Sequence, residues 1–383
     1  MQRIAKYLID NYLNWQSFKT DNPIVVIESD DWGSLRTKDL ATRNHILKLS
    51  DDVQKDNYTR LDSIATEADL QALFEVLNSV RDSKGSPACI TANVCTANPN
   101  FRAIKASDFK EFHYVPFTDN LKQYSSGNSL FEIWREGESA SLFKPQLHGR
   151  EHLHALAWLT ELNKGNKALL KAFELESWGI PYKAKSIQRR ANLQAALDEY
   201  GLAGEQLFHI NWIEDSVKIF ESTFGYKSKS FVAPAYVWNA INNKTLSQNG
   251  IKSLQGIKLQ YEPFHNSETR YSKKLRYIGQ RDIGSGLIYT TRNVFLEVHR
   301  NPNEDWVARC MSLIHKTIKS NKPVIISSHR INFVGRLETT HRDISLKALQ
   351  TILKNIVKAY PTVEFLNSAQ LADRLHETKS DKI

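Results

Sequence analysis

Along most of this chain, short runs of β-branched and other apolar residues alternate with segments whose apolar residues recur at helical spacing. A repeated strand-then-helix order constrains the fold more than any other feature. Strands separated by helices run parallel, and a parallel sheet needs helices over its faces. Strand-like runs occupy residues 24–28, 88–94, 111–117, 322–329 and the segments KSFVAP and TVEFL. Helical patterns cover 69–82, 129–137, 212–225, 305–321 and the segments LKALQTILKNIVKAY and SAQLADRLHE. Residues 141–165 pass from extended to helical with Gly165 as the stop; 166–205 reads as a helical insertion and 257–285 as a long loop or hairpin. The expectation is an α/β fold with a largely parallel sheet.

Composition narrows the function classes. The 383 residues are 41% hydrophobic and 24% charged, an ordinary soluble composition with enough length for a large core. The net charge of +9 would suit an anionic partner, but Lys and Arg are scattered and form no nucleic-acid motif. Cys89, Cys95 and Cys310 give neither a disulfide framework nor a CxxC pair. The opening MQRIAKYLIDNYLNWQ reads as an amphipathic helix, not a signal peptide, and no run is long enough to span a membrane. A cytoplasmic protein is expected.

Within this frame VIESDDWGS, residues 26–34, stands out. An apolar run, Ile24 to Ile27, leads into two adjacent carboxylates, Asp30 and Asp31. The carboxyl ends of parallel strands are where α/β folds build their sites. Asp51-Asp52, by contrast, lies in a polar stretch and reads as solvated loop. QLHGREHLH places His148 and His152 four residues apart, which on a helix would set both imidazoles on one face. His154 points elsewhere and is read as structural. Two imidazoles and one carboxylate form a three-ligand set with an open fourth position, the pattern of a catalytic zinc site. The second carboxylate of the pair can then accept a proton from water. His329 ends the apolar run PVIISSH and brings an imidazole to the same end of the sheet, suited to general acid chemistry near neutral pH.

These residues resemble the metal-dependent polysaccharide deacetylases, carbohydrate esterase family 4. That family carries an Asp pair after its first strand, then His-x-x-x-His, then an extended segment with Pro, then a late strand ending in His. Here the matches are Ser29-Asp30-Asp31, His148 to His152, FVAPAY around Pro234, and IISSH at His329, in the same order from about residue 24 to 330. The resemblance implies a distorted (β/α) barrel with helical and loop insertions, the whole chain 1–383 forming one catalytic domain. It implies Asp30 as base, His329 as acid, and Asp31, His148 and His152 as ligands of a divalent metal, zinc first. The implied activity is removal of acetyl groups from an amino sugar of a glycan or its precursor. A carbohydrate, possibly anionic, is then the partner, with no nucleic acid.

The sequence departs from the family at three places. Trp32 intervenes between the Asp pair and Gly33. The family Arg that orients the base is replaced at its place by Val232; Arg150 and Arg292 are both candidates to substitute. The family's Asp-Trp motif is matched only by Asp305-Trp306. A backbone amide near Tyr236 is expected to hold an oxyanion, and Tyr236 and Trp238 either line a sugar pocket or pack a strand end. Another hydrolase on the same barrel, such as a glycoside hydrolase, and a non-catalytic glycan-binding protein remain the alternatives.

Overall fold

A computed structural model describes residues 9, 11–124, 129–182, 192–263 and 271–378. Ten strands share one sheet: β1 (Ile24–Trp32), β2 (Ile90–Val94), β3 (Phe143–Leu147), β4 (Ser230–Val232), β5 (Ser253–Gly256), β6 (Gln280–Arg281), β7 (Ile288–Thr291), β8 (Val294–Phe295), β9 (Val324–His329) and β10 (Glu364–Leu366). Their order is β6-β7-β5-β4-β3-β2-β1-β9-β8, and β10 pairs with the first residues of β1. Every pair is parallel except β6 with β7.

The two ends of this order meet, because β7 and β8 are consecutive in the chain. Through Arg292 the chain follows β5, with the Arg292 amide donating to the Gly256 carbonyl at 2.9 Å. From Asn293 onward it follows β9, with the Asn293 amide donating to Ile325 at 3.1 Å and the Leu296 amide to Ser327 at 2.9 Å. One bent segment thus bridges both edges and closes a distorted α/β barrel. The seam lies at Arg292.

Residue alternation along β1 explains both layers. Val25 and Ile27 face outward, into a core shared with helices Glu67–Asn78, Trp306–Lys319 and Thr339–Ala359. The first of these helices starts at a capping box between Thr66 and Asp69. Ile24 and Val26 face inward, where Ile288, Ile325 and the helix residues Leu371 and Leu375 fill the amino end of the barrel. Fully burying each such side chain stabilises the fold by about 1.5–3 kcal/mol. Further along the inward face the residues become Glu28 and Asp30, so the interior turns from apolar to charged toward the carboxyl ends.

Local differences from the sequence expectation have physical causes. Asp51 and Asp52 are exposed, but they open a short helix, Asp51–Lys55, behind the Ser50 cap; acidic residues favour a helix first turn. Helix Ser129–Ser139 runs through Gly137, and a Cβ there would lie 2.3 Å from the Phe74 ring, so close packing requires this glycine. Of the stretch 166–205, Lys167–Glu174 is helical, 192–204 runs mostly as turns, and 183–191 lies outside the described residues. Within 257–285, Leu259–Pro263 and Tyr271–Leu275 form an antiparallel hairpin. All three cysteines are buried and free. Among the described residues no helix is long and apolar enough to cross a membrane.

Candidate active site

Adjacent residues on a strand point to opposite faces. Asp30 and Asp31 nevertheless share one site because the strand breaks its register there. The β1–β2 pairing shifts between Ser29 and Trp32, and Asp31 has φ +73°. A bulge with a left-handed residue turns the next side chain inward, and Asp tolerates that conformation better than most residues. Trp32 then returns to the outer face, where it packs edge-on against Trp134 and Phe143, and its indole N–H donates to Ser29 Oγ at 2.9 Å. Gly33 follows at φ +81°, with a Cβ position 2.4 Å from the Cys95 carbonyl oxygen, so no larger residue fits.

His148 and His152 are not on a helix. They lie in the loop between β3 and helix Ala155–Asn163. The loop is held by the His148 amide donating to Val94 at 2.8 Å and by Gly149 and Arg150 carbonyls accepting from Thr96 and Ala97. The outcome sought from helical spacing is reached by loop geometry, with the two rings 5.1 Å apart. His148 Nδ1 donates to the Val232 carbonyl at 2.8 Å, which leaves the Nε2 lone pair free. Asp31 Oδ1 lies 3.4 Å from Nε2 of His148 and 3.4 Å from Nε2 of His152. A tetrahedral ion with bonds of about 2.0–2.2 Å separates its ligands by roughly 3.3–3.6 Å. Asp31 Oδ1 and His148 Nε2 are buried without a hydrogen-bond partner, a costly state unless a cation completes them. The three residues therefore fit a divalent metal.

Protonation states agree with that fit. Burial pushes the His152 imidazole down to about 3, outweighing the attraction of Asp31, so the ring is neutral and able to ligate. Burial would raise Asp31, but His152 and Arg36 hold it well below the usual carboxylate range. Arg36 lies 3.5 Å from Asp31 Oδ2 and 3.2 Å from Asp62, between the faces of Tyr58 and Trp178. Asp62 in turn accepts from Arg330 at 2.8 Å.

Asp30 is fixed from two sides. Arg292 donates to both its oxygens, at 2.6 and 2.7 Å, and Asn93 Nδ2 donates at 2.7 Å. The same guanidinium reaches Glu28 at 2.7 Å and Tyr236 Oη at 2.6 Å. Burial would raise Asp30, but Arg292 dominates and holds it at about 2. His329 stands beside Asp30 in the β1–β9 register, its Nε2 3.9 Å from Asp30 Oδ2. Its Nδ1 donates to Glu297 Oε1 at 2.7 Å. Burial would lower His329, yet Glu297 raises it to about 9, so the ring is protonated at neutral pH. Glu297 is held at about 2, against the effect of burial, by His329 and His299, and it also accepts from Asn332 at 2.9 Å.

All five site residues expected from sequence thus meet at one end of the barrel, and the contacts choose between the two candidate arginines. Arg150 is committed to Glu151 and Asp215, whereas Arg292 grips Asp30. Asp305 caps helix Trp306–Lys319 by accepting from Ala308, and the carboxylate on His329 is Glu297 instead. The Tyr236 amide donates to the Ala233 carbonyl at 2.9 Å and is therefore engaged. Tyr236 reaches the site through its hydroxyl, while Trp238 packs on Tyr289 in the core. Sequence reading missed Glu297, Arg36, Asn93 and Glu28. Glu297 lies two residues past a two-residue strand, too short to read as one.

His154 has a structural part: it caps helix Ala155–Asn163. It also gathers with Glu205 and His209 as a second buried group. Its Nδ1 accepts from the Ala157 amide at 3.2 Å, so Nε2 carries the proton and faces Asp198 O at 2.9 Å and Glu205 at 3.1 Å. Glu205 accepts from the amides of Tyr200, Gly201 and Leu202. His154 and Glu205 are thus engaged by the protein itself, whereas His209 Nε2 is buried without a hydrogen-bond partner.

No family model and no curated protein sequence matches this chain. Solved structures do. A glycoside hydrolase/deacetylase from Parabacteroides distasonis aligns over 94% of this chain and 72% of its own, at 7% identity and a TM-score of 0.52. A polysaccharide deacetylase from Mycobacterium smegmatis covers 95% and 93%, at 12% identity and a TM-score of 0.40. A 4-alpha-glucanotransferase from Thermococcus litoralis aligns over 92% of this chain at 9% identity and a TM-score of 0.46, and the chain spans 40% of that enzyme's length. The first of these likenesses bears on the fold alone, and this α/β barrel shares its overall arrangement with that protein.

Proposed function

We propose that this chain is a metal-dependent hydrolase that removes an acetyl group from an amino sugar, with residues 1–383 acting as one catalytic domain. One observation carries the reading: buried Asp31 Oδ1 lies 3.4 Å from Nε2 of both His148 and His152, with the three ligand atoms within 4.8 Å of one another, beside a carboxylate and a protonated imidazole. The nitrogen-rich set favours zinc over magnesium or calcium. When bound, such an ion polarises an acyl oxygen and lowers the pKa of water, which compensates for the weak basicity of Asp30.

The chain's own residues divide the proton work. Asp30, locked by Arg292 and Asn93, takes a proton from the attacking water. His329, kept charged by Glu297, gives its proton to the leaving nitrogen as the C–N bond breaks. Acetic acid and a free amine result; the acid loses its proton to the amine or to solvent to become acetate, and the proton held by Asp30 restores His329 through solvent. Arg292 bridges Asp30 and Glu28 and offsets their mutual repulsion; burial still pushes the Glu28 carboxyl up, against the pull of Arg292.

The test combines elemental analysis with acetate release from N-acetylated oligosaccharides. About one transition-metal ion per chain and acetate from at least one amino sugar are expected. A new reducing end without acetate would assign glycoside hydrolysis instead. Binding without turnover across acetylated sugars would leave a glycan-binding protein.

A further inference from the structure

A groove of about 760 Å³ follows the seam of the barrel and borders the site on its His329 side; Asp30, Asp31, His148 and His152 are not among its lining residues. Tyr236, Arg292 and His329 form its upper end. Below them the walls carry Lys258, Arg276, Arg300, Lys316 and Lys322, drawn from the hairpin region, the segment after β8, and the helix and turn before β9. Among the described residues Glu297 is the one carboxylate lining the groove, and its charge is matched by His329 and His299. Lys258 and Lys322 have further partners of their own, which leaves Arg276, Arg300 and Lys316 as the cations the groove gathers. Arg276, Arg300 and Lys316 have no carboxylate partner among the described residues; Arg276 is fixed by Gln260 and the Tyr289 ring. Cations brought together in a concave wall repel one another, and an anionic ligand relieves that repulsion. The volume lies in the range of ligand sites, and Tyr277 and Phe295 add apolar surface among the charges.

We infer that the substrate is an acidic saccharide: units next to the acetylated amino sugar carry carboxylate or sulfate groups, which lie along this groove. The inference rests on the deacetylase reading of the site and names its substrate class.

Binding tests it apart from turnover. The zinc-loaded Asp30→Asn variant, which slows consumption of ligand, is titrated by calorimetry with three probes. These are a tetrasaccharide of alternating glucuronate and N-acetylglucosamine, a sulfated N-acetylglucosamine tetramer, and the neutral N-acetylglucosamine tetramer. At low salt at least one acidic probe should bind about tenfold or more tighter than the neutral one, and this advantage should shrink as salt rises. Which acidic probe wins identifies the anion. Adding Arg300→Gln and Lys316→Gln, both at exposed positions, should remove most of the advantage and leave neutral binding and melting temperature unchanged. Equal binding of all three probes, or a charge-removal variant that weakens neutral and acidic probes alike, overturns the inference. Acetate assays on the parent separate the two readings. Acidic preference without acetate release rejects deacetylation and keeps the acidic ligand; acetate release without acidic preference does the reverse.

Discussion

Replacing Glu297 by Gln keeps the side chain's size and removes its charge. Glu297 Oε1 sits 2.7 Å from His329 Nδ1. At an effective dielectric of 20, two unit charges at that separation attract by about 6 kcal/mol. The rise of His329 from 6.5 to about 9 corresponds to roughly 3 kcal/mol. The difference is of the size expected for burying an imidazolium. Without the Glu297 charge the burial cost remains, and the His329 pKa should fall to about 6.5 or below. The sign follows from the role. An acid acts only while protonated, so parent turnover should hold through neutral pH and decline as pH rises through about 9. In Glu297→Gln the decline should begin at least two units lower, with turnover near pH 8 reduced by roughly tenfold or more and much less change near pH 5.5. A pH–rate profile of acetate release for both proteins measures this, with metal content as control. An alkaline limb that stays in place in the variant would refute the pairing as the source of the acid.

Three further outcomes are expected. Asp31→Ala should lose metal and activity together, while Asp30→Asn should bind metal normally and lose turnover by about a hundredfold to ten-thousandfold, read by elemental analysis and acetate release; a reversed pattern would exchange their roles. Arg292→Met strands Glu28 and Asp30 as buried carboxylates, so denaturant unfolding should show about 3–5 kcal/mol of destabilisation, and Arg292→Lys should restore charge without the two-pronged grip on Asp30. Gly149→Ala adds a Cβ 1.7 Å from the Trp212 ring at φ +96°, so it should lower zinc stoichiometry and melting temperature. Gly165→Ala, at φ +73° with nothing within 4 Å, should cost only the backbone penalty of about 1–2 kcal/mol and keep its zinc.

The periodic features of the sequence were the most informative. The apolar runs at 24–28 and 322–329 became adjacent strands, and their register places Asp30 opposite His329. That neighbourhood is a consequence of sheet order, which residue patterns constrain well. Less legible were contacts that depend on irregular backbone. Helical spacing suggested that His148 and His152 belong together, yet a pinned loop joins them, and its anchors are main-chain bonds to Val94, Thr96 and Ala97. Nothing in the side-chain pattern marks such bonds. The convergence of Asp30 and Asp31 needs a left-handed residue at 31, a property of one torsion angle. Glu297, Asn93 and Arg36 come from distant parts of the chain, and each looks like an ordinary polar residue until the barrel closes.

Closure at Arg292 also bears on how a chain like this is recognised. The guanidinium that clamps Asp30 is delivered from the seam between β7 and β8, while the position expected to supply it, Val232, offers its carbonyl to His148. The charge that holds Asp30 thus comes from a part of the chain that a linear pattern does not point to. A motif written as a string of letters loses such a protein, whereas a template of charged atoms around the carboxylate would retain it.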